Sequence, residues 1–573
     1  MTISARELLG ELLDPDSFVG WDRPPIEVDA DARYRAERRA AAERSGADES
    51  VLTGAGRLRG RPVAVIACEF GFLAGSIGVA AAERIVTAIE RATELGLPLV
   101  ASPTSGGTRM QEGTVAFVQM VKIAGAVAAH KAAGHPYLVY LRHPTMGGVF
   151  ASWGSLGHMT FAEPGALIGF LGPRVYEALY GRPFPPGVQT AENLYRNGVI
   201  DGVVPVRVFR RIAHRVLNVT SATAVPGPAP APPDPKALRD NGTKAVAVMY
   251  GGAAATSEHS QSPTPATPAE ADATDRAETA VPESFSERST RDTLPTPVDS
   301  KAVGSAEPAS HQHVSEVEAT WRSVARSRRP DRPGIRELLR HTTDRVPLSG
   351  TGQGESDRTV VHALARLRGQ PCVVFGHDRA GQTGENTMGP AALREARRSM
   401  HLAAELRLPL VLVIDTAGAA LSREAEERGL APEIARCLAD LVTLATPTIS
   451  VLLGQGSGGG ALALLPADRV LAARHSWLAP LPPEGASAIV HRDTEHAAEL
   501  AAAQRIRAAD LLADGIVDRI VPEHSDAADE PVDFARRMVA ALAEELSRLR
   551  ARPSHELAAA RHLRYRRLGL PRP

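Results

Sequence analysis

Short apolar runs alternate with amphipathic stretches over two parts of the chain. In the first part, PVAVIACEF (62–70), PLVAS (98–102) and PYLVYL (136–141) are rich in Val, Ile and Leu, the pattern of strands buried on both faces. GVAAAERIVTAIERATELG, between the first two, has its apolar residues at helical spacing, and a second helix is predicted over roughly 110–133. The second part repeats the scheme: PCVVFGHD, LPLVLVID and PTISVLLG read as strands, with ALREARRSMHLAAEL and PEIARCLADLVTLA as helices between them. Strand, helix, strand in succession predicts an α/β fold with parallel pairing and helices packed outside the sheet.

The two parts also match in sequence. Arg57-Leu-Arg-Gly-Arg-Pro62 returns as Arg366-Leu-Arg-Gly-Gln-Pro371, an offset of 309. Leu97-Pro-Leu-Val100 returns as Leu408-Pro-Leu-Val411, and Gly147-Gly148 as Gly458-Gly459, both at an offset of 311. NGVIDGVVP (197–205) matches DGIVDRIVP (514–522). Four matches in order predict a duplicated domain of about 200 residues. Between the copies, residues 221–313 are rich in Pro, Ser, Thr, Ala and acids and hold too little apolar surface to offset the entropy of ordering, so a disordered linker is expected. The island KAVAVMYGG (244–252) reads as part of it. The predicted domains are therefore 1–220 and 314–573.

Composition narrows the function classes. With 65 Lys+Arg against 66 Asp+Glu in 573 residues, the net charge is −1, and no global basic field exists to hold nucleic acid or a membrane surface. Cys68, Cys372 and Cys437 are too scattered for a disulfide framework or a zinc ribbon, and no metal site is expected. The polar, acidic start MTISARELLGELLDPDSF does not resemble a signal peptide. No apolar stretch is expected to approach the roughly 20 residues that cross a bilayer. A cytoplasmic protein is the expectation.

The chemistry resides in the glycines that follow strands. PLVASPT runs into Ser105-Gly106-Gly107-Thr108-Arg109, and PYLVYLRHPT into Met146-Gly147-Gly148; the second copy has Asp415-Thr416-Ala417-Gly418 and Gly456-Ser457-Gly458-Gly459-Gly460. A strand that turns through glycine into a helix exposes N–H groups without an intrahelical partner at the positive end of the helix dipole. Two such turns side by side form a backbone oxyanion hole, and the missing Cβ lets a substrate approach closely. Gly454-Gln-Gly456-Ser-Gly-Gly459 formally fits a dinucleotide fingerprint, but the first copy has no counterpart and no acidic residue follows about 20 positions on, so nucleotide binding is rejected.

Both copies resemble crotonase-like acyl-coenzyme A enzymes, and the pair resembles the carboxyltransferase of acetyl-coenzyme A carboxylase with its beta and alpha subunits fused. The beta-type motifs are SGGTRMQEG (105–113), HPTMGGVFASWGSLGHMTFAEPGALIGFLGPRVYE (143–177) and PPGVQTAENLYRNGVID (185–201). The alpha-type motifs are TWRSVARSRRPDRP (320–333), DTAG with AEERG (415–418, 425–429), GQGSGGGALAL (454–464) and PPEGASAI (482–489). The second half departs from the alpha pattern, with DTAGAALS where the family reads close to TPGAYPG and VPLSGTGQGESD in place of a histidine-glycine-aspartate stretch.

The resemblance implies two tandem crotonase-like domains and transfer of a carboxyl group from carboxybiotin, on a separate biotin carboxyl carrier protein served by a biotin carboxylase, to an acyl-CoA. Acetyl-CoA giving malonyl-CoA for fatty-acid or polyketide synthesis is the leading substrate. Propionyl-CoA or another acyl-CoA, a biotin-independent decarboxylase of malonyl-type thioesters and a non-catalytic paralogue are the alternatives. It further implies a homo-oligomer, dimer or hexamer, with the site shared between protomers. Gly106, Gly107, Gly147 and Gly148 are assigned to the acyl-CoA oxygen, and Gly418, Gly458 and Gly459 to the biotin oxygen. Arg109 and Arg174 are candidate contacts for a carboxylate or phosphate, Glu484 and Gly485 line the biotin side, and Glu426 and Glu427 read as helix-surface charges.

Overall fold

The computed structural model describes residues 3–220 and 309–571. The predicted linker and its island at 244–252 lie outside the described residues, except that a helix, Ala309–Ser327, opens the second domain earlier than residue 314. Both copies build the same sheet. In the first half the strands run in spatial order Val19–Gly20, Val51–Leu58, Arg61–Cys68, Leu99–Ser102, Tyr137–Leu141, Met159–Ala162 and Gly202–Val203. In the second they run Arg345–Leu348, Val360–Leu367, Gln370–His377, Leu410–Thr416, Thr448–Gly456, Arg469–Ala473 and Arg519–Val521. The tandem α/β architecture is the expected one.

Pairing is not parallel throughout, as the sequence pattern had predicted. The first three strands of each sheet are antiparallel and the remainder parallel. The repeated Arg-Leu-Arg-Gly is the reason: Arg59 and Gly60 (φ 50° and 83°), like Arg368 and Gly369 (φ 44° and 83°), form two-residue hairpin turns. Positive φ at both central positions matches the right-handed twist of the strands that the turn joins. The hairpin strands keep the offset of 309, ending at Cys68 and His377, whereas the helices that follow, Val79–Glu94 and Pro390–Glu405, are offset by 311. The second copy therefore carries two extra residues between hairpin and helix.

The helix Gly113–Ala132 is buried along most of its length, and its extension from Met110 is long and apolar enough to cross a membrane. This overturns the expectation that no such stretch exists. It is a core helix, 83% buried in its most apolar window, and packs on Leu430–Thr443 of the second half. A β-carbon on Gly125 would stand 3.0 Å from Val442 Cγ1 at that crossing. One hydrophobic core runs through both halves. At its edges, Thr114 Oγ1 donates to the carbonyls of Leu478 and Gln504, both at 3.0 Å, and Arg566 pairs with Glu83 and Glu90, both at 2.7 Å.

Candidate active site at two matched glycine turns

The hydrogen bonds of the first pair of turns recur in the second. Gly107 N–H donates to Ser105 Oγ at 3.0 Å, and Gly418 N–H to Thr416 Oγ1 at 3.1 Å. Met146 N–H donates to the Ser105 carbonyl at 2.9 Å, and Ser457 N–H to the Thr416 carbonyl at 3.2 Å. Gly147 N–H donates to the Gly169 carbonyl at 3.1 Å, and Gly458 N–H to the Ala479 carbonyl at 2.9 Å. Gly147 and Gly458 have φ of 65° and 64°, a left-handed conformation that favours glycine. Every one of these pairs is separated by 311 positions, apart from the acceptors Gly169 and Ala479.

What remains after these bonds defines the donors. Among the described residues, the N–H groups of Gly148 and Gly459 have no acceptor, and neither do those of Thr108 and Ala419. Thr108 lies beside Gly148: a β-carbon on Gly148 would stand 3.2 Å from Thr108 Oγ1. Ala419 lies beside Gly460, one residue beyond the match of Gly148, with its nitrogen 3.4 Å from where a β-carbon on Gly460 would stand. The other assigned glycines shape the turns, because Gly106 N–H already donates to the Ala74 carbonyl at 2.9 Å. Thr108 and Ala419 were missed because any residue but proline carries an N–H, so a search for glycine passes over them.

Arg109 is a correction. It is fully buried, and its guanidinium is held by Glu49, Ser50, the Ser76 carbonyl and Tyr34. Burial disfavours its charge, but the Glu49 carboxylate more than offsets this and raises its pKa. It braces the turn from behind, with its guanidinium taken up by these partners and no exposed surface. The side chain of Arg174 lies outside the described residues; its backbone is in the helix Pro173–Tyr180.

Glu484 forms a two-pronged ion pair with Arg328 at 2.6 and 2.9 Å. Burial works against its charge, and the Arg328 guanidinium overcomes it, holding the carboxyl below the ordinary range. The α-carbon of Gly485 faces the first half, where a β-carbon would meet Val175 and Leu179.

Glu426 is not the surface charge expected, whereas Glu427 is partly exposed and pairs with Arg423 at 2.9 Å. Glu426 is buried, and its Oε1 accepts from Phe170 N–H at 2.8 Å and from Gln189 Nε2 at 2.7 Å, both in the first half. Burial pushes its carboxyl up to about 7 despite these bonds. Glu427 Oε1 accepts from Asn193 Nδ2 at 3.0 Å. The AEERG motif of one half and the PPGVQTAENLYRNGVID motif of the other thus form a joint.

Known proteins share this arrangement of motifs. Residues 4–239 match the carboxyl transferase domain, and residues 299–569 match the acetyl co-enzyme A carboxylase carboxyltransferase-like family. A probable biotin-dependent acyl-coenzyme A carboxylase beta3 subunit of Mycobacterium tuberculosis (strain ATCC 25618 / H37Rv) is 58% identical over 571 residues, covering 100% of this chain and 99% of that protein. The chain belongs to the biotin-dependent acyl-CoA carboxyltransferase family. The acetyl-coenzyme A carboxylase carboxyl transferase subunits beta/alpha of Salinispora arenicola (strain CNS-205) are 34% identical over 584 residues, covering 100% of this carboxyltransferase and 91% of that one.

The residues of this carboxyltransferase suit its two ligands. Among the described residues, each half offers unpaired backbone donors, and the second adds Ser457, a buried hydroxyl without a partner beside the open face of Gly418. A ureido oxygen fits such a donor set. No cluster of three or more His, Cys, Asp or Glu that could hold a metal occurs among the described residues.

Proposed function

We propose that this carboxyltransferase moves a carboxyl group from carboxybiotin on a carrier protein to acetyl-CoA, in the cytoplasm, as one component of a complex with that carrier and a biotin carboxylase, and that it works as a homo-oligomer. The observation that carries the reading is the pair of matched turns, each with free N–H donors. Carboxyl transfer develops negative charge on two oxygens, the thioester oxygen as the α-carbon loses its proton and the ureido oxygen of biotin. Decarboxylation without biotin would call on one turn only. Biotin, presented by its carrier, supplies the carboxyl group.

The chain's own part is electrostatic. Gly148 and Thr108 N–H groups receive the thioester oxygen, and Gly459 and Ala419 N–H groups the ureido oxygen. Donors fixed in advance need no reorganisation as charge develops, and removing one costs about 2.7–4 kcal/mol of barrier. Gly147 and Gly458 hold the turns in the conformation that presents these donors, and the Arg109 and Glu484 ion pairs brace the surrounding segments. Acetyl-CoA is favoured by the relatives named acetyl-coenzyme A carboxylase carboxyl transferase, whose likeness spans the whole chain.

The test is the reverse reaction of the purified full chain. Malonyl-CoA with free biotin should give acetyl-CoA at a rate that depends on biotin, and faster than methylmalonyl-CoA is consumed. Decarboxylation at the same rate without biotin would sink the proposal. Preference for methylmalonyl-CoA would overturn the choice of acetyl-CoA alone.

A further inference from the structure

The joint between the halves touches the turns themselves. Glu426 follows the Gly418 turn closely in sequence, in the short helix Arg423–Glu427, and reaches into the first half to accept the N–H of Phe170. Phe170 directly follows Gly169, whose carbonyl receives Gly147 N–H, and Gly169 pairs with Met146 in the two-stranded sheet that ends at the first turn. The Phe170 ring lies against the other turn, where a β-carbon on Gly459 would stand 2.8 Å from its edge and 2.8 Å from Ile434 Cδ1. One residue therefore has its backbone on the first turn and its ring on the second, and one carboxyl holds it.

Gln189 donates to the same carboxyl oxygen. Its Nε2 donates to Glu426 Oε1 and to the Leu171 carbonyl, both at 2.7 Å, so the segment 169–171 is held on either side of Phe170. The fit is close, since a β-carbon on Gly169 would collide with the Gln189 amide. A hydrophobic contact alone could carry the packing here. A buried carboxyl carries a desolvation cost, which its hydrogen bonds offset only in part. Its geometry gives something that packing does not, a directional bond that fixes one backbone N–H.

We infer that Glu426 is a positioning residue for carboxyl transfer, which sets the spacing of the two oxyanion-binding turns by holding Phe170 between them. The inference rests on the proposed function and on a site built from both halves of one chain rather than shared between protomers, because spacing within the chain matters only when both of its turns serve one reaction. Loss of the bond leaves each turn intact and changes the distance between them, so the rate of transfer falls while binding of the thioester at the first turn persists. A misplacement of about 1 Å in such a reaction costs on the order of 100-fold in rate.

The experiment uses the full chain, malonyl-CoA and free biotin, with kcat and KM measured separately. Glu426→Ala should lower kcat by about 100-fold and leave KM for malonyl-CoA within about threefold. Glu426→Gln keeps an acceptor for Phe170 N–H and should recover most of the lost rate. An alanine variant that keeps its kcat, or a glutamine variant as slow as alanine, overturns the inference; so does a loss confined to KM. Should Glu426→Ala fail to fold, Glu426→Asp keeps the charge but withdraws the carboxyl from Phe170 N–H by one carbon, and an unchanged kcat in that variant overturns it equally. Wild-type protein that shows no biotin-dependent transfer would instead refute the proposed function, so the two failures are distinct.

Discussion

The ring of Phe170 occupies the ground where a β-carbon of Gly459 would have to go, 2.8 Å away, although the two residues belong to different halves of the chain. Gly459→Ala therefore forces Phe170 or Ile434 aside and disturbs the second turn. Its expected outcome is loss of biotin-dependent transfer by about 100-fold, read as kcat with malonyl-CoA and free biotin. Gly148→Ala meets Thr108 Oγ1 at 3.2 Å and Met120 Cγ at 3.3 Å, contacts that yield more easily, and its loss should be smaller. Equal losses would contradict this ranking.

Arg109 offers a prediction of the opposite kind. Removing one partner of a buried ion pair leaves the other charge uncompensated, at a cost of about 3–5 kcal/mol. Arg109→Met should therefore lower stability in chemical denaturation by about that amount, through the stranded Glu49 carboxylate. Arg109→Lys should recover little, since one ammonium cannot replace a guanidinium that bonds Glu49, Ser50 and Ser76 at once. Folded Arg109→Lys protein with a raised KM for acyl-CoA and wild-type stability would show that the residue faces substrate after all.

Stability should respond to pH in two opposed ways. Burial pushes Glu426 from 4.5 up to about 7, so between these values the folded chain retains a proton that the unfolded chain has lost. Its contribution then falls as pH rises through that window. His130, His362 and His377 are pushed by burial from 6.5 down to about 4, so the unfolded chain binds the extra protons and stability falls as pH drops below 6.5. Melting temperatures of wild type and Glu426→Gln, measured from pH 5 to 8, should diverge in favour of the variant as pH rises. Parallel curves would refute the Glu426 assignment.

The crossing of the two central helices is sensitive to volume. Gly125→Leu would drive a side chain into Val442 and should destabilise the chain by about 1–3 kcal/mol, measured by urea denaturation. Gly125→Ala meets Val442 Cγ1 at 3.0 Å and should cost less.

Some of this was legible in the sequence because it is local. The offsets of 309 and 311 located the two halves, and the glycines after strands located both turns. The antiparallel hairpins were not legible, because their apolar pattern suggested parallel strands and the positive φ of Arg59 and Arg368 appears only in the fold. Other features depend on partners brought together only by folding. Phe170 and Glu426 are 256 positions apart, and neither carries a mark of the other. Arg109 beside a glycine turn looks like an anion contact until Glu49, 60 positions earlier, is found against it. The donors of Thr108 and Ala419 belong to the backbone and leave no trace in residue type.

The likeness of the two turns bears on the balance between the bound species. A catalyst cannot move the overall equilibrium, but unequal sites can favour one bound species over another and so trap it. Under the proposed function, the shared backbone bonds would receive the two anionic oxygens alike, while the unpartnered hydroxyl of Ser457, which has only Met146 as its counterpart in the first half, would tilt the balance toward the second turn. Net flux in either direction is set by mass action among the thioesters and the charged carrier, as for any catalyst, and the two turns would set only how long each bound species waits.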